Sequence, residues 1–184
     1  PNKLTIAVLA VLLVLVILVV VILCMIFGGG SWKTPINNVM DVLNDGDGKA
    51  YQELMPPYVK DMADALDGIV DISDEDYDEE AENQRDRLTK KYGDDAEISY
   101  EVVKKTEVDS DDIDSYNDMS DLGSVLGVKK AKKYKLTKAY KVKIKYTIEG
   151  EDADKADKTT VVVGKMDGTW VLLDEGDLPI STGF

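Results

Sequence analysis

Between Leu122 and Ile148 the chain carries nine lysines and no acidic residue, although its formal net charge is −14. Lys133, Lys135, Lys141, Lys143 and Lys145 fall at odd-numbered positions there, the spacing that puts side chains on one face of a β-strand. A row of ammonium groups holds an anion as point charges, and that attraction weakens as salt rises. These five lysines are the candidate contact residues for an anionic ligand or partner; the alternative is a solvated sheet face whose lysines pair across strands with Glu97 and Glu101 and with the acidic helices. Tyr134, Leu136, Tyr140, Val142, Ile144, Tyr146 and Ile148 occupy the other face, an apolar one set with phenols. A carboxylic acid beside a phenol can do acid–base chemistry, but aromatics on an apolar face fill a core, and that is the role expected of Tyr100, Tyr140 and Tyr146.

Other chemistries are closed by composition. The chain has no histidine, and Cys24 is its one cysteine. Ser-His-Asp and Cys-His nucleophile systems, histidine acid–base catalysis and zinc sites of the Cys/His type are therefore excluded within these residues. No catalytic residue set, metal site or cofactor is assigned. Asn44-Asp45-Gly46-Asp47-Gly48 approaches a calcium loop, but aligning either glycine with the loop's invariant one puts Leu43 where an oxygen ligand is needed, so a capped turn is expected. Residues 31–184 contain all 36 acidic residues and 21 of the 22 basic ones, a net charge of −15 that repels nucleic acid and anionic lipid at long range. No nucleic-acid partner is expected.

Leu4 to Phe27 contain no charged side chain, and about 20 apolar residues suffice to cross a hydrocarbon core as a helix. The run exceeds the apolar core of a cleavable signal, so residues 4–27 are expected to form a single transmembrane helix, with residues 1–3 as a truncated cytoplasmic flank. The membrane is thus an expected partner. Lys3 and Lys33 flank the run evenly; the acidic remainder favours a C-terminal domain outside the cytoplasm, at the cell membrane. Residues 28–33 then read as a flexible linker, residues 34–174 as one domain, and residues 175–184 as a C-terminal tail.

Within the domain the elements follow from periodicity. Thr34-Pro35 is a helix-start signal, with Thr34 as cap, and Ile36, Val39, Met40 and Leu43 mark one helical face before Gly46. Short helices over 48–55 and 58–66 flank Pro56-Pro57, and a longer one capped by Ser73 runs to Tyr92, its buried stripe Tyr77, Ala81, Leu88 and Tyr92 interrupted by Gln84. From Ala96 the period becomes two, which predicts a strand; a helical excursion capped by Ser110 occupies 109–127, and the strongest strand spans 133–148. Asp167-Gly168 between two β-rich runs predicts a two-residue hairpin. Helices first and an antiparallel sheet last make an α+β domain.

That order, closing on Val163-Gly164-Lys165-Met166-Asp167-Gly168-Thr169-Trp170-Val171-Leu172, resembles the nuclear transport factor 2-like fold, a cystatin-like cone of helices packed on a curved antiparallel sheet that recurs in membrane-anchored extracytoplasmic proteins of Gram-positive bacteria. The resemblance covers residues 34–174. The apolar anchor, the tether and the absence of a catalytic residue set lead to the expectation of a membrane-anchored, extracytoplasmic, non-catalytic module that binds a cell-envelope ligand, such as an anionic polymer, or a partner protein in the membrane. Some members are enzymes that use an acid and a tyrosine in the cone, which leaves a histidine-free cone enzyme as one alternative and an accessory subunit of a membrane complex as another.

Overall fold

The computed structural model describes residues 30–59, 74–119 and 134–181. The chain divides into two compact units, Pro1–Ser31 and Trp32–Phe184, and the described elements all belong to the second. In chain order they are α1 (Thr34–Asp45), α2 (Gly48–Leu54), α3 (Asp74–Tyr92), β1 (Glu97–Glu107), α4 (Ser110–Met119), β2 (Leu136–Glu149), β3 (Lys155–Met166) and β4 (Thr169–Asp174). The strands form an antiparallel meander in the order β1-β2-β3-β4, so β1 and β4 are its edges.

The expected α+β class holds for the domain, but the expected fold class is corrected in one respect. Among the described residues no helix is long and apolar enough to cross a membrane. The physical reason is visible in their sequences: α1 is apolar on one face only, and the long α3, DEDYDEEAENQRDRLTKKY, is charged on most of its surface. The membrane-crossing helix is therefore not an element of the architecture established here; residues 4–27, on which that expectation falls, lie outside the described residues, as does the expected helix 58–66 beyond Val59.

One face of the sheet buries the main core. Ile36, Val39 and Leu43 of α1, Tyr51 and Leu54 of α2, and Ala81, Leu88 and Tyr92 of α3 pack on Ile98, Val142, Ile144, Tyr146, Ile148, Val161, Val163 and Leu172. The spacing that suggested these faces is the one they bury. Capping differs in detail. Thr34 is already helical, with Lys33 before it making no side-chain cap; Gly46 ends α1 in the left-handed region at φ 65°, and the Asp47 carboxylate accepts from the Ala50 N–H at 3.0 Å to start α2. The acidic turn is thus a helix junction. At α4 the cap is Asp109, which accepts from the Asp112 N–H at 3.0 Å, rather than Ser110.

Side-chain amides tie elements together at three places. Asn44 donates to the Ile98 carbonyl at 3.0 Å and accepts its N–H at 2.8 Å, fastening α1 to β1. Asn117 does the same to Leu136, at 3.0 and 2.8 Å, fastening α4 to β2. Gln84, only 1% exposed, donates to Glu80 at 2.6 Å and to the Ser181 carbonyl at 3.2 Å, and accepts the Ser181 N–H at 3.3 Å. The residue that interrupts the apolar stripe of α3 is thus a clamp on the C-terminal segment. Residues 175–181 accordingly do not trail beyond the domain as the tail expectation had it: Leu178 and Ile180 are buried in the main core.

Register is broken in three places, between Val102 and Lys104, Leu136 and Lys138, and Val162 and Val163. Each bulge bends and twists its strand. The break after Leu136 corrects the alternation expected for β2. Tyr140 faces the main core, whereas Leu136 joins Ala139, Met166 and Val171 on the opposite face, under Ile113 and Tyr116 of α4.

The hairpin forms as expected, with Met166 paired to Thr169 and both Asp167 (φ 47°) and Gly168 (φ 82°) left-handed. Gly168 has open space where a Cβ would stand, so Gly168→Val should destabilise through backbone strain alone, by about 1–3 kcal/mol in denaturant titration. Gln84→Leu keeps the volume but strands the Ser181 peptide groups, and a loss of about 1–3 kcal/mol is expected in the same assay.

Candidate functional site

The face of the sheet opposite the helical layer divides along its length. Its first part is apolar and covered by α4; beyond it Lys141, Lys143 and Lys145 stand exposed on β2. They recur at every second residue, so neighbours lie about 6.8 Å apart along the strand. Register adds two more. Lys104 of β1 is the Cα partner of Lys143, and Lys158 of β3 is the partner of Lys145, both exposed. Opposed residues of antiparallel strands sit about 5 Å apart, so the five lysines form one patch. Lys104 and Lys158 were not legible as site residues because their membership depends on strand pairing.

The other expected contacts fare differently. Lys133 lies outside the described residues. Lys135 is exposed but precedes β2, and the bulge after Leu136 gives the continuation of the lysine row to Ala139 and Leu136, so Lys135 is not brought to the patch. Lys138 lies on the other side, bonded to Glu107 at 3.1 Å with its ammonium over the Tyr140 ring; the hydrogen bonds to Tyr140 and Glu107 raise its pKa.

Neutralisation of the patch is partial. Lys141 pairs with Asp112 of α4 at 3.6 Å. Glu101, the register partner of Lys145, is an acidic residue within the patch, and Glu97 stands opposite Glu149 rather than a lysine. Among the described residues no carboxylate lies within 4.0 Å of the ammonium of Lys104, Lys143, Lys145 or Lys158.

Both ends of the patch are acidic. Asp111 and Asp112 occupy the first turn of α4 at one end. At the other, Asp95, Glu97, Glu149, Glu151 and Asp154 line a depression of about 570 Å³ where β1 and β2 meet the β2–β3 turn. Two of these carboxylates are engaged in shaping the turn, Asp95 accepting from the Glu151 N–H at 2.8 Å and Asp154 from the Gly150 N–H at 3.2 Å. Among the described residues no set of three or more acidic side chains is placed to hold a metal ion.

The inward tyrosines are occupied as packing groups. Tyr146 is fully buried; its hydroxyl donates to the Asp177 carbonyl at 3.3 Å and accepts from Lys155 at 2.7 Å, a bond that raises the lysine's pKa. Tyr140, 9% exposed, stacks on Trp170 at 5.3 Å and meets Trp32 edge-on at 6.3 Å, with Lys105 above both Tyr140 and Trp32. Tyr100 donates to Asn37 at 2.6 Å, and burial raises its pKa. The Asp41 carboxyl has its pKa raised by burial and then by Asp45 and Asp47, with no tyrosine involved.

Comparison of the chain with protein-family models, with curated proteins and with solved structures finds no match.

Because Lys143 and Lys145 carry no ion pair among the described residues, Lys143→Gln and Lys145→Gln should each leave stability within about 0.5 kcal/mol of the parent in denaturant titration.

Proposed function

We propose that this domain is a non-catalytic binding module that docks an anionic cell-envelope ligand or partner protein on the face formed by Lys104, Lys141, Lys143, Lys145 and Lys158. The observation that carries the reading is a cluster of exposed lysines, four of them without a carboxylate within 4.0 Å among the described residues, on a domain whose remaining charge is strongly negative. Keeping like charges together costs free energy unless something of opposite sign is bound, and a folded sheet face holds them at fixed spacing. The packed tyrosines support binding by the surface over chemistry in an enclosed cavity.

The kinship proposed for the domain is the nuclear transport factor 2-like cone, supported by the order of helices followed by a bulged antiparallel meander. Residence at the cell envelope, outside the cytoplasm, belongs to the same proposal and rests on the strongly acidic charge of residues 31–184 rather than on the fold.

The test is a titration of the full chain with long-chain polyphosphate and with an acidic polypeptide, at low and high salt. Binding to at least one probe at low salt is expected, weakened at 0.5 M salt as the screening length falls to about 4–5 Å. The triple change Lys141→Gln, Lys143→Gln, Lys145→Gln should abolish it with the melting curve retained. Absence of binding to both, or binding untouched by the triple change, overturns the reading.

A further inference from the structure

The charge order along the sheet narrows what the patch can take. From α4 outward it runs Asp111 and Asp112, then Lys141, Lys143 and Lys145 with Lys104 and Lys158 beside them, then Glu97, Glu149, Glu151, Asp154 and Asp95. The lysine row on β2 is about 14 Å long from Lys141 to Lys145, and Glu149 follows about 14 Å further on. A long polyanion laid along β2 would leave the lysines at both ends and meet carboxylates. Turned across the strands it fares no better: the Lys104–Lys143 row ends on Thr160, the Lys145–Lys158 row begins at Glu101, and Val162 beside Lys141 pairs with Asp174.

A short extended peptide fits both constraints. Its alternate side chains project to one side about 6.8 Å apart, the repeat of Lys141, Lys143 and Lys145. We infer that the patch seats a short extended acidic segment of a partner protein, with carboxylates at alternate positions and basic residues on both flanks. The inference rests on the docking reading above and names its ligand. The lysines supply attraction at the centre, and the acidic ends select a partner whose charge changes sign at the same places, by repelling one that does not. Asp112 sharpens the boundary: paired with Lys141, it neutralises the row at the α4 end and leaves Lys143 and Lys145, with Lys104 and Lys158, as the centre of positive charge.

The experiment titrates the full chain with four labelled probes at low salt, read by fluorescence anisotropy. The first is a short peptide with three glutamates at alternate positions between lysine-bearing ends. The second has the same composition with its glutamates consecutive, the third has glutamates at the ends as well, and the fourth is polyphosphate of increasing length. The alternating peptide should bind at least about fivefold more tightly than either other peptide, the effect of one well-placed exposed ion pair. Lys143→Gln with Lys145→Gln should remove that preference, while Glu149→Gln with Glu151→Gln should rescue the acid-ended peptide; circular dichroism melts of both variants confirm folding. Equal binding of the three peptides, or affinity that climbs steadily with polyphosphate length, overturns the acidic-segment inference and leaves the docking reading standing. Failure of every probe to bind overturns the docking reading itself.

Discussion

A carboxamide side chain carries one donor group and one acceptor, the complement of the peptide group it meets, and this domain is fastened together by that match. Asn44, Asn117 and Gln84 each take both the N–H and the carbonyl of a single residue on another element, Ile98, Leu136 and Ser181 respectively. Each bond is modest in net free energy, about 1 kcal/mol, but a peptide group left unpaired in a partly buried position costs more than the bond contributes. At Ile98 the clamp also covers part of edge strand β1, whose backbone would otherwise be open to another chain. Arg85 adds a tie of a different kind, its guanidinium only donating, to the carbonyls of Leu43, Ala96 and Asp94, and so joining the end of α1 to the entry of β1.

Held in this way, the sheet can be different on its two faces and again along one of them. The main core occupies the helical side, and the bulge after Leu136 sends that residue to the other side, where it forms a second, smaller core with Ala139, Met166 and Val171 beneath α4. One extra residue in β2 thereby lets a single strand serve two cores. It also ends the lysine row, because the positions beyond Lys141 on that face are apolar. The exposed patch is what remains of the outer face once α4 has covered its apolar end.

Charge is segregated at the scale of the whole domain. The segment from Leu122 to Ile148 is positive without interruption, while α3 opens with Asp74, Glu75, Asp76, Asp78, Glu79 and Glu80. The fold uses acidic residues in two ways that composition does not distinguish. Asp47, Asp95, Asp109 and Asp154 are backbone acceptors at helix starts and turns. Asp112, Glu97 and Glu149 bound the lysine patch, where their effect is on what can approach.

The sequence by itself determined the α+β class, the buried stripes of α1 and α3, the inward face of β2 from Tyr140 to Ile148 and the Asp167-Gly168 hairpin. Each is set by side-chain period or by a turn that demands positive φ, which are properties of neighbours in the chain. Lys141, Lys143 and Lys145 were legible for the same reason. Tertiary structure decided the rest. Lys104 and Lys158 join the patch through strand register, Lys135 leaves it through a bulge, Gln84 changes from a flaw in an apolar stripe to a clamp, and Leu178 and Ile180 enter the core across a separation of more than 80 residues from α3. Period reports which way a side chain points along its own strand or helix; it carries no information about the strand alongside, where pairing and one inserted residue fix which charges meet.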